Sequence, residues 1–67
     1  MKRNKFIKYL EKNGCSLARE GGKHSLYKNT KTEKMSTVPR HPDIKENLCR
    51  KICKDLGISD ILKKESK

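Results

Sequence analysis

The chain has 67 residues, of which eighteen are Lys or Arg and eight Asp or Glu, giving a formal charge of +10; 31% are hydrophobic, and the aromatics are Phe6, Tyr9 and Tyr27. At this length it forms one domain at most, residues 1–67, burying about 60% of the surface its unfolded form exposes. Its apolar residues are regularly spaced but never run beyond two in succession, which argues against a disordered tail, a signal-peptide core and a membrane-spanning helix.

A small body with this charge attracts polyanions. Anionic membrane is the weaker candidate, because neither end offers a wide apolar helix face or a lipidation site. Nucleic acid is therefore the expected partner. Three cysteines, Cys15, Cys49 and Cys53, are an odd count with no export signal, which points to reduced thiols and a cytoplasmic protein.

Lys2 to Asn13 reads as a helix, with Phe6, Ile7, Tyr9 and Leu10 on one face and charges on the other. Asn13-Gly14 ends it. Cys15 to Arg19 then alternates, with Cys15, Leu17 and Arg19 on one side. Gly21-Gly22 connects it to a second alternating stretch, His24 to Lys28, in which Leu26 opposes Ser25 and Tyr27; the pair reads as a hairpin. Asn29 to Lys34 is a polar turn, and Met35 to Pro39 a third strand ended by its proline. Met35 and Val38 cannot share a face by strict alternation, so one is exposed or a bulge separates them.

His41-Pro42-Asp43 forms a loop. A second helix runs to Leu56, with Ile44, Leu48, Ile52 and Leu56 along one stripe, Asn47 as its expected N-cap and Ile44 on the approach. Gly57 closes it. Ser59 caps a short, fraying final helix from Asp60 to about Lys64. The fold class is α+β in the order α-β-β-β-α: a three-stranded antiparallel sheet with two helices on one face, as in double-stranded-RNA-binding domains, leaving the other face for a partner.

The acidic residues Glu20, Glu33, Asp43 and Glu46 are dispersed, which disfavours a nuclease built on convergent carboxylates and Mg²⁺. Gly21-Gly22-Lys23 lacks the rest of a nucleotide-phosphate loop. Cys49 and Cys53 share a helix face and with a histidine could bind zinc, but the same spacing serves core packing, which is favoured. No metal and no cofactor are expected. RNA carries its own nucleophile, the 2′-hydroxyl. A nuclease without metal therefore needs one group to move a proton and cations to hold the charge on phosphorus. Histidine suits the first task because imidazole ordinarily titrates near neutral pH. His24 follows two glycines and Lys23, with Arg19 and Lys28 at the ends of the paired strands. On these residues alone the favoured reading of His24 is a surface residue opening a strand, or one more phosphate contact, since a single histidine is a weak signal.

From Phe6 to Ser59 the chain resembles the HicA family. The resemblance lies in Lys12-Asn13-Gly14 closing the first helix, the run Leu17-Ala18-Arg19-Glu20-Gly21-Gly22-Lys23-His24-Ser25-Leu26-Tyr27, the segment Ser36-Thr37-Val38-Pro39-Arg40-His41, and Asp55-Leu56-Gly57-Ile58-Ser59. Members of that family are toxins of double-stranded-RNA-binding-like fold that cleave mRNA and are held inactive by a HicB antitoxin. The resemblance implies an endoribonuclease with His24 as catalytic residue. RNA contacts are expected at Arg19, Gly22, Lys23, Lys28, Arg40 and His41. Many relatives carry a second histidine where this chain has Ser25, so a second proton-transfer group, if used, would lie elsewhere, with His41 a candidate. Strand alternation puts His24 on the side of Leu26, towards the helices, and therefore at the strand's mouth, where twist carries it to the rim. The alternative reading is an RNA-binding module of the same fold that does not cut.

Overall fold

The computed structural model describes residues 1–60. Helix α1 spans Arg3–Lys12, strands β1, β2 and β3 span Cys15–Glu20, His24–Asn29 and Met35–Pro39, and helix α2 spans Glu46–Leu56. The strands form one antiparallel sheet in the order β1-β2-β3. This is the α-β-β-β-α arrangement read from the spacing of apolar residues. The terminal helix expected from Asp60 to about Lys64 lies outside the described residues beyond Asp60, which is not helical.

The core forms between the helices and one face of the sheet. Phe6 and Leu10 of α1 and Cys49, Ile52, Cys53 and Leu56 of α2 pack with Cys15, Tyr27, Val38 and Ile44, all buried. Burying each large side chain contributes about 1.5–3 kcal/mol, a substantial share of the few kcal/mol available to so small a domain. Gly57 (φ 73°) caps α2 in the left-handed conformation that glycine takes without strain.

The buried stripe of α2 is Cys49, Ile52, Cys53 and Leu56, and Leu48 is 36% exposed. The helix starts two residues earlier than expected, with Lys45 and not Asn47 as N-cap; Ile44 does lie on the approach, buried. Most consequential is the inner face of β2, which carries Ser25, Tyr27 and Asn29, while Leu26 is only half-buried on the other side. Both inward polar residues have hydrogen-bonding work. Asn29 donates from Nδ2 to the Leu56 carbonyl at 2.8 Å, tying the sheet to the end of α2, and Ser25 bonds Arg3 of α1 and Glu20 of β1. A buried polar group with partners costs little, so the pattern of hydrogen bonds outweighs the preference for burying Leu26.

Strand β1 is bulged between Leu17 and Arg19. Leu17 pairs with Tyr27, but Arg19 pairs with Leu26, so the extra residue, Ala18, transfers Arg19 to the open face. Leu17 and Arg19 thus do not share a side as simple alternation suggested. In β3, Met35 is exposed and Val38 fully buried, the first of the two outcomes the spacing allowed.

Candidate active site

The β1–β2 connection is Gly21-Gly22-Lys23. Gly21 donates its N–H to the His24 carbonyl at 2.9 Å, closing the hairpin. A Cβ on Gly21 would stand 2.7 Å from that same oxygen, closer than real Cβ atoms approach, whereas a Cβ on Gly22 would meet nothing within 4 Å. Gly21 is therefore the glycine the bend requires, and Gly22 lies open beside it.

His24 opens β2 on the face away from the helices. Its cross-strand partner is Pro39, and the next pairs on that face are Leu26 with Thr37 and Lys28 with Met35. The ring is therefore exposed, not turned towards the core. No displacement to the rim is needed: with Ser25 and Tyr27 facing inward, alternation itself turns His24 outward. A surface groove of about 420 Å³ is lined by Lys23, His24, Pro39, Arg40 and His41. Four of the expected site residues thus meet in one concavity, and both histidines of the chain share it.

The other expected contacts lie around it. Arg19 stands on the same open face, across from Leu26 and one pair along from His24. Gly22 is exposed in the bend. Lys28 is on the same face but four residues along the strand, about 13 Å at about 3.3 Å per residue, and its ammonium lies 4.0 Å from Glu33. Lys28 therefore stands apart from the groove at His24.

Behind the groove is a polar network that sequence reasoning missed. Ser25, 1% exposed, donates to Glu20 Oε1 and accepts from Arg3 Nη2 at 3.1 Å. Arg3 Nε also donates to the Pro39 carbonyl at 2.8 Å. Arg40 Nη1 lies 3.7 Å from Glu20 Oε1 and donates to the Gly21 carbonyl at 3.2 Å. One carboxylate thus joins the inward serine of β2 to the arginine of the groove, and that arginine grips the glycine bend (charge-assisted contacts of this kind are the stronger ones). Only the register makes this legible: Glu20 pairs with Ser25 across the ladder, and Arg3 arrives from another element. The position where many HicA proteins carry a second histidine is therefore an inward, structural one here, filled by Ser25.

The thiols belong to the core. Cys49 and Cys53 are 0% and 1% exposed among apolar neighbours, and burial pushes the Cys15 and Cys49 thiols up from their usual range. Among the described residues, no group of three or more His, Cys, Asp or Glu is arranged to hold a metal ion, and no helix is long and apolar enough to cross a membrane.

No curated protein and no solved structure matches the chain. The family described as HicA toxin of bacterial toxin-antitoxin matches it over residues 3–58, a span that takes in both helices, all three strands and the groove. With that match over most of its length, the chain belongs to the HicA family of toxins of bacterial toxin–antitoxin systems.

Proposed function

We propose that this toxin is a metal-independent endoribonuclease that cuts mRNA in the cytoplasm with His24 as its catalytic residue, and that a HicB-like antitoxin holds it inactive. The observation that carries this reading is the exposed His24 in a groove it shares with Lys23, Arg40 and His41. A proton carrier on the sheet face that the helices leave open thus lines one groove with the cations Lys23 and Arg40, exposed to an incoming phosphodiester.

In the proposed reaction the neutral imidazole of His24 takes the proton of a ribose 2′-hydroxyl. The oxygen attacks the adjacent phosphorus and the bond to the 5′-oxygen breaks. The products are a 2′,3′-cyclic phosphate and a 5′-hydroxyl. In this reading the departing oxygen takes its proton from His41, which lines the same groove. Lys23 and Arg40 balance the charge that builds on the phosphoryl oxygens, with electrostatic stabilisation of this kind commonly the largest share of catalysis. Arg40 is held in place by Glu20 and the Gly21 carbonyl before RNA arrives, so little ordering is required at the moment of reaction. Glu20 is committed to Ser25 and Arg40, and so serves to position Arg40.

Arg19, Gly22 and Lys28 extend the contact surface along the RNA backbone. The charge of +10 would steer an acidic antitoxin to the protein as readily as RNA. The test is incubation with mRNA in excess EDTA, with analysis of the new ends. Cleavage leaving cyclic phosphates supports the reading. Intact RNA in a shifted complex would instead identify an RNA-binding module of the same fold.

A further inference from the structure

Beside the cationic groove lies a second concavity of about 450 Å³, walled by Pro39, His41, Pro42, Ile44 and Leu48, with Asp43 and Lys45 also lining it. The two grooves share Pro39 and His41. One is cationic and the other mainly apolar, and they meet at a ridge made by a proline and an imidazole. We propose that the apolar groove is a nucleobase subsite, taking the base attached to the sugar whose phosphate lies at His24. This rests on the ribonuclease reading and adds to it the source of base preference.

The two grooves match the two halves of a nucleotide. A nucleotide joins an anionic phosphate to a flat, apolar-faced ring through one sugar, and here a cationic concavity adjoins an apolar one. Contact of a base face with such an apolar wall is tolerant of sequence, because every base has a flat ring face to bury; selection comes from polar groups at the edge. Asp43 supplies an acceptor there and Lys45 a donor, the two functions that read a base edge. Leu48 has no role in the core: it sits off the buried stripe of α2, 36% exposed, and turns an apolar side chain into this groove.

The wall is also fixed in advance. The Arg3 N–H donates to the Pro42 carbonyl at 2.8 Å, the Ile44 N–H donates to the Met1 carbonyl at 2.8 Å, and the Met1 amino group donates to the Ile44 carbonyl at 3.0 Å. The first residues of the chain thus clamp the loop between β3 and α2 from both sides. A preformed wall loses little freedom when a base settles on it.

The test compares wild type, Leu48→Glu and Pro42→Ala on an RNA pool randomised in sequence, with the cut ends sequenced and each fold checked by circular dichroism. Wild type is expected to favour particular bases at one position next to the cut. Leu48→Glu is expected to lose that preference and about tenfold in kcat/KM, the scale of one lost apolar side-chain contact. If Leu48→Glu fails to fold, Leu48→Ala, which only shortens a surface side chain, takes its place. Unchanged base preference in the variants overturns the subsite and leaves the nuclease standing. Variants that cut as wild type does but no longer bind antitoxin would assign the groove to a protein partner and overturn it as well. A wild-type protein that cuts no RNA overturns the nuclease and the subsite together.

Discussion

Replacing Gly21 by alanine tests how the bend positions His24. The added methyl carbon would stand 2.7 Å from the His24 carbonyl oxygen, a backbone atom that cannot swing aside. The same oxygen accepts the 2.9 Å bond from the Gly21 N–H, so relieving the clash means opening the hairpin where it begins. The loss of one backbone hydrogen bond costs about 1 kcal/mol, and the accompanying shift of packed backbone about 1–2 kcal/mol more. For a domain of this size each kcal/mol lowers Tm by about 4–8 °C, so Gly21→Ala should melt about 10–20 °C below wild type. Displacing His24 by even about 1 Å can cost about 10²-fold in rate, and cleavage by the fraction that remains folded should fall by that order. Gly22→Ala is the control for stability: with nothing within 4 Å of the new carbon, its stability should stay within about 0.5 kcal/mol of wild type. Thermal melts of the pair, followed by RNA cleavage well below both transitions, decide the matter. If Gly21→Ala melts and cuts like wild type, the claim that this contact holds the bend is wrong.

The polar network gives a second test. Glu20→Ala leaves the Ser25 hydroxyl buried without its acceptor, at a cost of about 1–3 kcal/mol, and frees Arg40. Glu20→Gln keeps an acceptor and should recover most of the stability but less of the cleavage; equal recovery of both would deny Arg40 its role. In the core, Ile52→Ala removes a side chain 1% exposed and should cost about 2–5 kcal/mol, enough to unfold much of the population by urea titration, while Leu48→Ala should change stability little. The raised Cys49 thiol predicts a pH effect. The folded chain keeps its proton where the unfolded chain, with the ordinary value of 9.0, loses it. Stability should therefore be level below that pH and fall as pH rises from there towards the raised folded value. Alkylation of the native protein at neutral pH should be slow and that of the denatured chain fast; rapid labelling of the native thiols would contradict their burial. RNA binding should weaken steeply with added salt, and a flat titration would count against phosphate contacts.

Much of this was legible in the sequence. The helix and strand order followed from apolar spacing and from the glycines at 14 and 57, and the residues of the groove from the segments around His24 and His41. The facing of β2 was not, because apolar pattern alone puts Leu26 inside. The inward positions are held by Ser25 and Asn29 through specific hydrogen bonds to Glu20, Arg3 and the Leu56 carbonyl, and no periodicity reports those. The bulge at Ala18 was equally silent, and with it the placing of Arg19 on the open face. Correcting the facing of β2 is what turns His24 from a residue needing special placement into one that alternation exposes.

The most direct measurement is the single-turnover cleavage rate of purified His24→Ala beside wild type, with folding and RNA affinity determined on the same samples. Because the side chain is exposed and outside the core, the variant should fold and bind RNA as wild type does while its cleavage falls by about 10²- to 10⁴-fold, the usual cost of a lost proton carrier. A folded His24→Ala protein that cuts RNA at the wild-type rate would contradict the account.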